Sequence, residues 1–189
     1  MRTRVLAAAL TSILGAVLGV AGCATAAGSD RPSVTVTTTI LGDVVNEIVG
    51  DQADVVVLMP GGGDPHSFSI SAQEAARMRQ SDLIVSNGLG LEEGVATQVQ
   101  AAAADGTPQF VAGDQADPLT FIADGSSGLP DPHFWTDPDR MVLVLDALDD
   151  ALAGIEGIDA EQLTQRAAKY RAELAALSAE MDTFFAAIP

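Results

Sequence analysis

The two histidines of this 189-residue chain, His66 and His133, close the same tripeptide, Asp64-Pro65-His66 and Asp131-Pro132-His133. A neutral imidazole offers one ring nitrogen to a metal, while a carboxylate beside it can take the other ring N–H and fix the tautomer. Proline before each histidine restricts the backbone and removes an amide donor. Taken alone, either tripeptide reads as a turn start with a polar loop residue. Finding both histidines in one setting points instead to a shared task. Two imidazoles suit zinc, or manganese if carboxylates complete the shell. They do not fill a site, since structural zinc takes four protein ligands and catalytic zinc three plus water. The acidic residues between Gly113 and His133, among them Asp114, Asp117, Asp124 and Asp131, or a further domain, are the expected source of the rest.

Other chemistry is poorly supported. Asn87-Gly88-Leu89-Gly90-Leu91-Glu92-Glu93-Gly94 follows an apolar run and opens a helical stretch. Its spacing is not that of a dinucleotide fingerprint, and Glu92 and Glu93 put negative charge where a phosphate would sit. A tight strand-to-helix turn is the better reading. Gly61-Gly62-Gly63 lacks the lysine and hydroxyl of a phosphate-binding loop, and no Gly-x-Ser-x-Gly elbow is present for a serine nucleophile.

The elements that must position the histidines alternate. Strands are expected at 34–40, 54–59, 82–87 and 109–112, with helices at 43–49, 71–80 and 91–104 between them. Ser71 followed by Glu74 has capping-box spacing. This order predicts an α/β fold with a parallel sheet and helices on both faces, because parallel neighbours need long crossovers. His66 then follows the second strand and His133 lies in a long loop after the fourth. Ligands of such sheets bind beyond the carboxyl ends of the strands, where both imidazoles can meet. The loop over 113–133 is longer than most loops without structure of their own. Asp137 and Pro138 supply a cap and first position for a helix through Met141, Leu145, Leu148 and Leu152.

A last helix is expected over 159–187. Its apolar stripe, Leu163, Ala167, Tyr170, Leu174, Leu177, Met181, Phe184 and Ile188, is spaced alternately by four and three residues. Such a helix is on the order of 40 Å long, more than one small sheet can cover. Its far end should pack on something else. A dimeric coiled coil is the other reading of the stripe, on a seam short for that purpose.

At the amino terminus, Arg2 and Arg4 precede an apolar run from Val5 to Val20, then small residues and Cys23, the chain's one cysteine. That is a lipoprotein signal peptide over 1–22, with lipid attachment at Cys23 and a small, polar tether over 23–33. The anchor fixes the expected location as the extracytoplasmic face of the cell membrane. The formal charge of −17 repels nucleic acid and draws cations.

The lipobox ending at Cys23, the strand VTVTTTI leading into LGDVVNEIVGD, the loop GGGDPHSF, the segment SDLIVSNGLGLEEG and the block DPHFWTDPDRM occur in that order. Together they resemble the metal-binding solute receptors of zinc and manganese ABC transporters, from Val34 to the end of the long helix. The resemblance implies a lipid-anchored receptor that passes Zn2+ or Mn2+ as transported ligand to an ABC permease. It also implies His66 and His133 as the first two metal ligands, an amino-terminal lobe over 34–157, and a helix over 158–189 leading to a second lobe that has no counterpart before Pro189. Members of the family are receptors, not enzymes. Two rivals stand beside this reading: a two-histidine metallohydrolase with Asp64 or Asp131 as general base, and a surface adhesion lipoprotein that dimerises through its last helix.

Overall fold

Val34 and Val36 are fully buried on one face of the first strand, and Thr35 between them is buried on the other, so this strand lies at the centre of a covered sheet. A computed structural model describes residues 30–122 and 128–188. Four parallel strands, β1 (Ser33–Val36), β2 (Asp54–Val57), β3 (Leu83–Ser86) and β4 (Gln109–Val111), form one sheet in the order β2-β1-β3-β4. The chain reverses its direction of travel across the sheet between β1 and β3, the switch point beside which ligands of such folds bind. Five α-helices are described: α1 (Thr39–Val49), α2 (Ala72–Met78), α3 (Ala96–Ala104), α4 (Pro138–Ala153) and α5 (Ala160–Phe185).

Helices cover both faces, as the alternation of strands and helices predicts. Val34, Val36, Leu83 and Val85 pack with Val45 and Ile48 of α1, Leu145 and Leu148 of α4, and Leu163 of α5. Ile84, whose side chain takes the opposite face, packs with Met78 of α2 and Ala102 of α3 in a smaller core that also holds Phe68. Burying each large aliphatic side chain is worth about 1.5–3 kcal/mol, so the first core carries most of the stability.

The boundaries differ from the expected ones where capping overrides β-branched residues. The first strand stops at Val36 because Thr38 caps a helix, its hydroxyl accepting from the Leu41 amide at 3.4 Å, which draws Thr39 and Ile40 into the first helical turn. The second stops at Val57, although Leu58 and Met59 still donate to the Val36 and Thr37 carbonyls at 2.8 and 3.1 Å. The helix expected from Leu91 starts only at Ala96, since Gly88, Leu89 and Gly90 all have positive φ and the chain turns through them first. The capping box at Ser71 and Glu74 forms in both directions, at 3.2 and 2.7 Å. Asp137 caps α4 as expected.

The segment over 113–133 has more order than its composition suggests. A short 3-10 turn, Ala112–Asp114, follows β4, and the chain then folds back on itself: the Phe121 amide donates to Leu129 at 2.9 Å and the Asp131 amide to Leu119 at 2.7 Å. Asp124 lies outside the described residues, as do Cys23 and the signal segment.

In α5, Leu163, Ala167 and Leu174 are buried against α1 and α4. Beyond Leu174 the stripe emerges: Leu177, Phe184 and Ile188 are exposed, as is the neighbouring Phe185, while Met181 is half-buried. At 26 residues the helix extends about 39 Å, and only its first half rests on the sheet domain.

Candidate metal centre

The path to His66 leaves β2 through Leu58 and Met59 and turns at Pro60, whose carbonyl accepts from the Gly63 amide at 2.8 Å. Asp64 then organises a tight turn. Its Oδ1 accepts from the His66 amide at 3.0 Å, its Oδ2 from the Ser67 hydroxyl at 2.7 Å, and its carbonyl from the Ser67 and Phe68 amides at 3.2 and 3.0 Å. The Ser67 hydroxyl, and next the His66 amide, hold the Asp64 carboxyl below the ordinary carboxylate range. Phe68, buried in the smaller core, anchors the turn, and His66 projects into solvent. The expectation that Asp64 takes a ring N–H of His66 is not met. Its oxygens are occupied by the backbone amide and the serine, which the two- and three-residue spacing favours.

His133 is held more completely. Asp131 Oδ1 accepts both from its amide, at 2.9 Å, and from ring Nδ1, at 2.7 Å. Partial burial opposes ionisation of Asp131, but these two hydrogen bonds outweigh it and keep the carboxyl below its usual range. With Nδ1–H committed to a carboxylate, the neutral ring presents Nε2 as its lone-pair nitrogen, the form a metal needs. Phe134 is buried in the larger core, and the 3-10 turn Phe134–Thr136 leads directly to the Asp137 cap of α4. The histidine therefore sits one turn from a rigid helix.

The sheet order brings the two loops together. The imidazole centroids are 5.5 Å apart with ring planes tilted by 56°. Two rings bound tetrahedrally to one zinc at about 2.0–2.1 Å per nitrogen would have centroids roughly 5 Å apart, so the pair fits a shared divalent ion. The Trp135 ring stands 5.2 Å from that of His133 on one side, and Phe121 lies at 6.5 Å. Among the described residues no set of three His, Cys, Asp or Glu side chains converges to hold a metal. Asp114 and Asp117 do not join the two imidazoles in such a set.

Two residues that sequence reasoning left without a role in the site underlie the His133 loop. Glu92 is buried, its Oε1 accepting from the Thr37 hydroxyl and the Asn87 amide, both at 2.6 Å, and its Oε2 from the Gly88 amide at 3.0 Å. The carboxylate fills the anion-sized slot at the end of β3, which accounts physically for the failed nucleotide reading. Asn87, fully buried, donates from Nδ2 to the Pro132 carbonyl at 3.1 Å. Gly113 allows the approach: a Cβ there would fall 2.8 Å from the Asn87 carbonyl and 2.5 Å from Leu89.

The family model described as "Zinc-uptake complex component A periplasmic" (ZnuA) matches residues 34–189. The chain belongs to the ZnuA family. Among its relatives is the "Manganese ABC transporter substrate-binding lipoprotein PsaA" of Streptococcus pneumoniae, 25% identical over 89% of this chain and 56% of that protein. A crystal structure of a ZnuA deletion mutant with zinc bound superposes with a TM-score of 0.75 at 26% identity, covering 85% of this chain and 60% of that one. The Fe(III)-bound YtgA of Chlamydia trachomatis gives 0.72 at 27% identity, covering 84% and 55%. The chain thus spans little more than half the length of these ZnuA-type proteins. These relatives are metal-binding and metal-transport proteins, among them ones for manganese, zinc and iron. The parallel sheet with its long carboxyl-terminal helix is the fold that this chain shares with them.

Proposed function

We propose that the chain is the metal-capturing lobe of an ABC-transporter receptor, with His66 and His133 as its first two ligands for a divalent ion. The observation that carries this reading is the pair of imidazoles 5.5 Å apart beyond the carboxyl ends of a parallel sheet. In this reading Cys23 carries the lipid that keeps the receptor on the extracytoplasmic face, and a membrane permease takes the ion from it. Residues 34–157 are the lobe, and 158–189 carry the long helix α5, whose exposed far half packs on a second lobe. Zn2+ and Mn2+ are both compatible with imidazole ligands. In this reading the protein is a receptor rather than an enzyme; the hydrogen bonds that hold the Asp64 and Asp131 carboxyls below the ordinary carboxylate range make either a weaker general base.

Calorimetric titration of the chain with Zn2+ and with Mn2+ tests this. The expected result is weak one-to-one binding, abolished when both His66→Ala and His133→Ala are introduced. Unchanged stoichiometry and affinity in the double variant would overturn the reading. Tight binding by this chain would move the remaining ligands into the acidic segment before His133.

A further inference from the structure

The peptide group between Pro132 and His133 is gripped at both of its polar atoms. Asp131 Oδ1 holds the His133 N–H at 2.9 Å, and Asn87 Nδ2 holds the Pro132 carbonyl at 3.1 Å from the opposite side. Asn87 is in turn fixed by its own backbone: its amide donates to Glu92 at 2.6 Å, and its carbonyl accepts from Gly113 at 2.8 Å. A continuous path thus runs from the end of β1, through Thr37, Glu92 and Asn87, to the loop that carries His133. The equivalent carbonyl in the other tripeptide, that of Pro65, receives no hydrogen bond among the described residues.

The side chain of Asn87 is an unusual choice for so buried a position. Its Nδ2 also reaches the Gly88 carbonyl at 3.2 Å, so the amide can face only one way: turned over, its oxygen would meet two carbonyl oxygens. In that orientation Oδ1 is buried with no partner among the described residues, which costs stability. An apolar side chain would fill the space without that cost. What it could not do is donate to Pro132.

We propose that Asn87, braced by Glu92, is a positioning residue that aims the His133 ring by fixing the Pro132–His133 peptide, so that Asp131 meets Nδ1 and Nε2 is left to face the ion. The final clause rests on the reading of His133 as a metal ligand. The aiming itself does not, and the test separates the two. In the metal-free chain, imidazole nitrogen shifts report the tautomer of each histidine. Asn87→Ala should shift the His133 signals away from a dominant Nδ1–H form while leaving those of His66 in place, and should weaken Zn2+ binding about tenfold, the lower part of the range seen when outer-shell partners are removed. Asn87→Ser, whose hydroxyl is too short to reach Pro132, carries the same readouts should the alanine variant not fold. His133 signals unchanged from the parent chain in a folded variant would overturn the proposal, whatever the metal result. A shifted tautomer in a chain that binds no zinc even as the parent would support the aiming and reject the metal reading.

Discussion

Asp131 holds both the amide and the ring of His133, whereas Asp64, in the same tripeptide, holds only the amide of His66. The difference continues outward. His133 leads within one 3-10 turn to a 16-residue helix seated in the main core, while His66 ends a glycine-rich turn pinned by Phe68 in the smaller one. One imidazole is held in a set tautomer and direction, and the other stands exposed with no hydrogen bond to its ring among the described residues. Under the proposed function such a division suits an ion that has to be both captured and released, because a fully rigid pair would add affinity that release then has to overcome. An identical tripeptide thus gives two unequal histidine settings, and the inequality comes from what each loop is tied to.

The anchors of the two loops should differ most. Phe134→Ala opens a cavity in the main core beside α4 and should cost about 3–5 kcal/mol, read by chemical denaturation of the whole chain. Phe68→Ala removes a side chain from the smaller cluster and should fall at or below the bottom of that range, at about 3 kcal/mol. Hydrogen exchange should then rise around residues 60–70 and leave α4 protected. Equal losses, with α4 deprotected in both, would mean that the loops share one anchor and would break the comparison.

The carboxylates come next. Asp131→Ala frees ring Nδ1 and the amide of His133 together, and should weaken Zn2+ binding by about 10–100-fold. Asp64→Ala leaves the His66 ring with the partners it already has, so its effect should be several-fold smaller. Titration of the two variants side by side decides the matter. A larger loss at Asp64 would mean that the His66 turn, and not the fixed His133 ring, sets the affinity.

How much of this could be read beforehand depends on the range of the interaction. The paired tripeptides, the capping box at Ser71 and Glu74, and the Asp137-Pro138 helix start are local, and each is visible within four residues. The alternation of strands and helices gave the parallel sheet for the same reason. The hydrogen bond from Asn87 to Pro132 joins positions 45 residues apart and depends on where the chain after β4 returns to the end of β3, which hydrophobic pattern does not encode. Glu92 was visible as a charge in the wrong place for phosphate, but its role as the filler of that slot required the fold. Thr39 and Ile40 misled because β-branched residues favour strands until a cap such as Thr38 starts a helix. The buried and exposed halves of α5 share one stripe, so periodicity identified the helix without showing where its cover ends at Leu174.

The smallest effects concern the hydroxyls that trim each loop. Ser67 donates to Asp64 at 2.7 Å and Thr136 to the His133 carbonyl at 2.9 Å, both at the surface. Water can replace either bond, so Ser67→Ala and Thr136→Ala should each change Zn2+ affinity by about twofold or less. The pair is nonetheless informative. If the His133 loop owes its order to Asp131, Asn87 and Phe134, removing Thr136's hydroxyl leaves three restraints in place and should be nearly silent. The His66 ring has no hydrogen bond of its own among the described residues, and Ser67 orients the carboxylate that holds its amide, so the larger of the two small effects should be at Ser67. The reverse order would make the exposed hydroxyl a working restraint on His133 and narrow the gap between the two loops.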